Sequence, residues 1–189
     1  KKEELENETN ENNLNLNKIS QIRKLSLWIF FIPIIVLNLC LIITQNYQFF
    51  ENTIFAVDQI GMSGFTIPYI DGGISISRAA RTYPTYLLFK PGMIITAILL
   101  IKYWLANNKL ILELNNEKKD KEKFLFFGVL SAIFLIIHSI FLGISFENDL
   151  YKFFRRFVLL AFIIFELIAQ GLFVTKLYKA KEKISHITN

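Results

Sequence analysis

Long apolar blocks separated by polar connections set the pattern of this chain. Leu25 to Thr44 reads LSLWIFFIPIIVLNLCLIIT and carries no charge. As a helix rising 1.5 Å per residue it reaches about 30 Å, the thickness of a bilayer's hydrocarbon core. Three further blocks lie at about 87–105, 124–146 and 153–177. A signal peptide has a shorter apolar region and a small-residue cleavage site, and 25–44 has neither. The pattern predicts an all-α, polytopic transmembrane helix bundle with at least four spans and one long ordered outer loop, 45–86. Residues 1–24 form a polar tail, expected to be disordered or weakly helical outside the membrane. Residues 178–189 form a basic tail. The chain starts at Lys1 rather than Met and stops soon after an apolar block, so four spans is a minimum count.

Punctuation refines these elements. Pro33 lies inside the first span, where a kink is tolerated. Pro91 is expected in the first turn of the second span, an allowed position. Trp28, and the pair Tyr103 and Trp104, are expected as interfacial anchors. Lys90 and Lys102 near the ends of the second span can snorkel to headgroups. The segment from Gln45 to Thr66 alternates Phe and Ile with Glu51, Asn52, Asp58 and Gln59, too polar to span. It is expected on the membrane surface or folded back on the bundle.

Composition changes the picture only where it excludes. With 53% hydrophobic residues and 19 Phe gathered in blocks, the chain is a membrane protein by pattern rather than a soluble domain. The net charge of +5 is read by location and not as a sign of nucleic-acid binding. One cysteine, Cys40, excludes a disulfide framework within the chain. Neither a cofactor nor a metal is implied. His138 and His186 form no ligand pattern and fall on opposite sides of the membrane. Lys and Arg are more numerous on the side carrying the N-terminal flank, the 107–123 connection and the C-terminal tail. The positive-inside rule therefore expects both termini in the cytoplasm of a cell (inner) membrane protein, with the loop outside. Arg78, Arg81, Arg155 and Arg156 weaken that bias.

Polar chemistry concentrates in one stretch, Ile67 to Pro91. Asp71, Gly72, Gly73, Ser75, Ser77, Arg78 and Arg81 suit a site for an anion or a lipid headgroup. Glycines let backbone N–H groups converge, and arginines bind phosphate bidentately. The alternative is a structural turn in which Asp71 accepts local N–H bonds. Ile67, Ile70, Ile74, Leu87 and Phe89 are expected to pack the loop over the helix ends, with Tyr69, Tyr83 and Tyr86 at the interface. Arg155 and Arg156 read first as interfacial anchors, with Glu147 and Asp149 near enough to pair.

The order of features resembles the DRAM-type family, the damage-regulated autophagy modulators and the lipid-remodelling factors of GPI anchors. The matching residues are Pro68-Tyr69-Ile70, Ser75-Ile76-Ser77, Pro84 and Phe89, and the likeness covers roughly Leu25 to Leu105. Asp71 departs from the family's usual Ser, and four spans depart from its five or six. The resemblance implies a polytopic membrane protein linked to lipid handling, with no catalytic residues to carry over.

A second group lies within the spans. Glu166 is costly in hydrocarbon, at about 2.5–3.5 kcal/mol on insertion scales. Counting along the helices puts Thr96, His138 and Asn38 about 9–12 Å from the outer surface, and Glu166 near the middle of the fourth span. They are expected to form an intramembrane polar cluster in which Glu166 meets at least one of the other three. Three functions are open. One is a non-enzymatic protein that binds or organises membrane lipids through the loop. The others are a lipid-modifying enzyme and a transporter or channel subunit using Glu166. The enzyme reading lacks a nucleophile–base pair and the transporter reading lacks internal repeats.

Overall fold

The computed structural model describes residues 2–50, 52–56, 70, 75–115, 122–143 and 149–179. In chain order these give α1 (Lys2–Gln45), a 3-10 turn (Tyr47–Phe50), a short α2 (Ile76–Ala79), α3 (Tyr86–Asn115), α4 (Lys123–Phe141) and α5 (Asp149–Lys179). No strand occurs among the described residues. The four long helices are each long and apolar enough to cross a membrane. Their outward faces carry Phe30, Ile35, Phe126, Phe157, Leu160 and Leu167, all exposed. Soluble proteins rarely leave such patches in water, whereas lipid covers them at no cost. The molecule is therefore an all-α, multi-pass membrane protein.

Neighbours in sequence are neighbours in space. α1 packs on α3, α3 on α4 and α4 on α5, while α2 lies against α1. α1 and α5 have no comparable contact. The bundle thus follows chain order, with little packing between its first and last members.

Two helices outrun their apolar blocks. α3 continues to Asn115 because helical spacing keeps feeding the core beyond 105: Asn107 is 2% exposed, Leu110 6% and Ile111 0%. Asn107 satisfies itself by donating to Tyr103 O at 2.8 Å, and Asn108 Oδ1 accepts from Glu122 N at 3.3 Å. In α1 the polar stretch is helical from Lys2, where a disordered or weakly helical tail was expected. Lys18 Nζ lies 2.5 Å from Glu113 Oε2, which fastens that stretch to the end of α3.

The core has two parts. Near the termini, Trp104, Ile111, Phe124 and Phe173 interlock with Leu125, Ala132 and Ala169. The Trp104 ring lies edge-on to Phe173 at 5.8 Å and tilted on Phe124 at 5.9 Å. It occupies the space a side chain at Gly128 would need. Trp104 is fully buried, so the interfacial role expected for it is corrected; the neighbouring Tyr103 is half-buried. Trp28 is 58% exposed. Near the loop, Val36, Cys40, Ala80, Phe89, Met93 and Leu142 form the second part. There Val36 approaches Gly92 so closely that a Cβ would lie 2.6 Å from its methyl group. α3 opens at Tyr86, which puts Pro91 beyond its first turn, on an exposed face, and corrects the expected placement.

Candidate functional site

The loop end is built from residues 75–85. Ser75 caps α2, its hydroxyl accepting from Arg78 N at 3.3 Å. The next two turns expose only small side chains to α1: Ala79 is 0% and Ala80 2% exposed. Thr82 Oγ1 donates to Arg78 O at 2.9 Å. Thr85 Oγ1 contacts both Ala79 O and Thr82 O, and Cys40 Sγ reaches Thr85 O at 3.6 Å. Tyr83, followed by a cis peptide bond to Pro84, donates to Ile54 O at 2.8 Å. The result is a fixed shelf across the helix ends. The residues that seat it are alanines and threonines together with Phe89. Ile70 and Leu87, expected as apolar anchors, are 78% and 50% exposed. Short side chains win here because they let backbone approach backbone and satisfy it locally.

Asp71, Gly72 and Gly73 lie outside the described residues, as do Ile67, Tyr69, Ile74 and Glu147. Ser75, Ser77 and Arg78 are exposed, and Arg81 is partly buried. Arg81 Nε donates to Ser77 O at 2.9 Å, which fixes the guanidinium plane and leaves its terminal amino groups for other partners.

Arg81 borders a cavity of about 620 Å³. Its walls come from every long helix: Pro33 and Leu37 of α1, Phe89 and Met93 of α3, Leu135 and His138 of α4, and Leu159 and Phe162 of α5. Ser77, Ala80 and Arg81 roof it from the shelf, and Arg155 and Arg156 close the loop end from α5. The cavity lies between α1 and α5, which pack little on one another. One end is cationic and the body is apolar.

The arginines repel one another. Arg81 is pushed below the usual guanidinium range, first by its partial burial and then by Arg155 and Arg78. A guanidinium starts so high that it stays charged throughout. Among the described residues the one acidic side chain at this end is Asp149, and Lys152 holds it at 2.9 Å. The pairing expected for Asp149 with Arg155 or Arg156 is thus replaced by an ion pair one turn away.

His138 adds a polar feature to the wall. Its Nδ1 is the one buried side-chain nitrogen or oxygen among the described residues without a hydrogen-bond partner. It stands three residues from the end of α4 at Phe141, about 4.5 Å below the loop end.

The polar cluster expected inside the spans is distributed differently. Thr96 Oγ1 donates to Gly92 O at 2.8 Å and Asn38 Nδ2 to Ile34 O at 2.7 Å, each within its own helix. Glu166 does face the bundle, and its hydrogen bonds run to other residues. It accepts from Ser131 Oγ at 2.6 Å, Trp104 Nε1 at 3.3 Å and Gln170 Nε2 at 3.1 Å. The reason is depth. α5 begins at Asp149, so Glu166 lies 17 residues, about 26 Å, from the loop end and only 13 residues from Lys179. It shares a level with Trp104 and Ser131, not with His138. Ser131 could be sought from sequence as a small polar residue facing its neighbours on a span. Trp104 was hidden by its likeness to an interfacial aromatic.

Among the described residues no group of three or more His, Cys, Asp and Glu is placed to hold a metal. No protein-family model, curated protein or solved structure matches the chain.

Proposed function

We propose that this protein binds an anionic membrane lipid in the cavity beneath residues 75–85. The observation that carries the reading is one cavity with Arg81, Arg155 and Arg156 at its loop end and an apolar body formed by all four long helices. A volume of about 620 Å³ falls within the range of small-molecule sites, about 300–1,000 Å³. Charge-assisted bonds from guanidinium to phosphate oxygens are about twice as strong as neutral ones. An anion bound here would also relieve the repulsion among the arginines. The sparse packing between α1 and α5 gives a lipid tail room at the apolar end. Lipid handling, which the likeness to the DRAM-type family implies, agrees with this reading. The loop end is assigned to the outer face of the membrane and both termini to the cytoplasm, on the Lys and Arg bias.

The test uses the full chain in nanodiscs of phosphatidylcholine with phosphatidylglycerol, lipid retention being read by native mass spectrometry. The wild type should retain the anionic lipid selectively. Arg81→Ala with Arg155→Ala should lower that selectivity about tenfold or more, since each lost bond to a charged group is worth about 1.5–3 kcal/mol. Inorganic phosphate alone should compete poorly, because it leaves the apolar body unfilled. Equal retention of both lipids by the wild type would remove the reading.

A further inference from the structure

A second recess lies at the opposite end of the bundle, on its outer surface. Its volume is about 510 Å³, and its apolar walls include Leu105 of α3 with Phe126, Leu130 and Ile133 of α4. Leu105, Phe126 and Ile133 are exposed, so the recess opens outward, where the bilayer lies. The interior behind it is filled by Trp104, Phe124 and Phe173.

Positive charge collects at its mouth. Lys123 opens α4 and lines the rim. Lys102 and Lys109 stand three residues before and four residues after Leu105, which puts all three on one helical face. Both lysines are exposed. Asn108 Oδ1 accepts from Glu122 N at 3.3 Å, so Lys109 and Lys123 lie near one level. The apolar block of α3 ends at about 105, close to that level. Lys102 sits about 4.5 Å inside the block, and its flexible stem lets the ammonium return to the headgroups. The carboxylates beside these lysines are already engaged. Glu122, also on the rim, holds Lys176 at 2.7 Å, and Glu113 holds Lys18 at 2.5 Å. None of Lys102, Lys109 and Lys123 forms an ion pair among the described residues.

We propose that an anionic lipid of the leaflet at the termini is held here, its headgroup by Lys102, Lys109 and Lys123 and one acyl chain in the recess between α3 and α4. Basic pockets between membrane helices recognise anionic headgroups in this way. A zwitterionic lipid fills the recess equally well but brings its own cation to the lysines. A phosphate in solution has the charge and lacks the chain. The site is independent of the one beneath residues 75–85, at the other end of the bundle. It also differs in chemistry. Lysines meet phosphate as point charges, without the fixed bidentate geometry of arginine, so this site reads charge rather than headgroup shape.

The test uses the full chain in nanodiscs of phosphatidylcholine doped with a lipid whose acyl chain carries a photoreactive group. Peptide mass spectrometry locates the adducts. Two probes with identical chains are compared, phosphatidylglycerol and phosphatidylcholine. On the wild type the anionic probe should mark residues 125–133 about tenfold more than the zwitterionic one, a factor within the reach of three lysines near an anionic headgroup. Lys102→Ala with Lys123→Ala should bring that ratio close to one, while Lys102→Arg with Lys123→Arg should keep it. Leu105→Trp, a change at an exposed side chain, should lower marking by the anionic probe although every lysine is present. Adducts around Arg81 report the other site separately. Loss of selectivity there, with the ratio at 125–133 intact, removes the loop-end reading and supports this one. Equal marking of 125–133 by both probes on the wild type overturns the proposal, as does an unchanged ratio in the lysine-to-alanine variant. Absence of marking by either probe overturns it too and assigns the recess to a protein surface, a second copy of the chain included. The wild-type comparison needs no variant, so a misfolded substitution does not shield the proposal.

Discussion

The two ends of the bundle solve opposite problems. At the termini, two ion pairs tie the helices together: Lys18 with Glu113 at 2.5 Å and Lys176 with Glu122 at 2.7 Å. Beneath them Trp104, Phe124 and Phe173 fill the space between the helices, and Glu166 is met by three donors. At the loop end the arginines gather around a cavity, and the one described carboxylate nearby belongs to Lys152. A protein end optimised only for stability would resemble the first. The second holds like charges together over an unfilled volume. Such local departures from good packing and pairing are where function concentrates.

Substitutions at the two ends should separate these roles. Trp104→Ala removes a fully buried ring and a donor to Glu166, and should cost about 3–5 kcal/mol in thermal or denaturant unfolding in detergent. Gly128→Val should destabilise comparably, because the Trp104 ring occupies the space of the new side chain. If either variant unfolds like the wild type, the tight end is not tight. Arg81→Ala with Arg155→Ala should behave in the contrary way. Lipid selectivity falls while the unfolding midpoint without anionic lipid stays or rises slightly, since like-charge repulsion is removed. A large fall in that midpoint would make these arginines structural. Glu122→Gln, which breaks a partly buried pair, should cost about 1 kcal/mol. Lys152→Ala should leave the midpoint unmoved, because its pair with Asp149 is fully in reach of solvent. Ser75→Cys should label with a membrane-impermeant thiol reagent from the outer face, against a low background from buried Cys40. Labelling from the cytoplasmic face alone would invert the proposed orientation.

What could be read beforehand follows from locality. The spans are local: twenty apolar residues announce a helix wherever it packs. The residues that seat 75–85 were not legible beforehand, since Ala79, Ala80, Thr82 and Thr85 look unremarkable until a neighbouring helix is placed against them. Arg81 stood out within a polar stretch. Its companions Arg155 and Arg156 looked like anchors because they come from the far end of the chain. The cavity itself depends on α1 and α5, the first and last helices, and on how little they pack on one another. No window along the sequence contains both. Depth separates Glu166 from Thr96, His138 and Asn38: it lies 13 residues, about 20 Å, inside the block at 153–177, and α5 adds four more residues at the loop end.

The sparse packing between α1 and α5 has a kinetic consequence for the proposed site. A ligand that enters sideways never has to cross water, so its supply is two-dimensional. Occupancy would then follow the mole fraction of the lipid in the surrounding leaflet, independent of its aqueous solubility. Exchange would be paced by lateral diffusion and by the release of the headgroup from the arginines. Such a site would sample the composition of its own membrane continuously, and a change in that composition would be felt at once by all four long helices that line it.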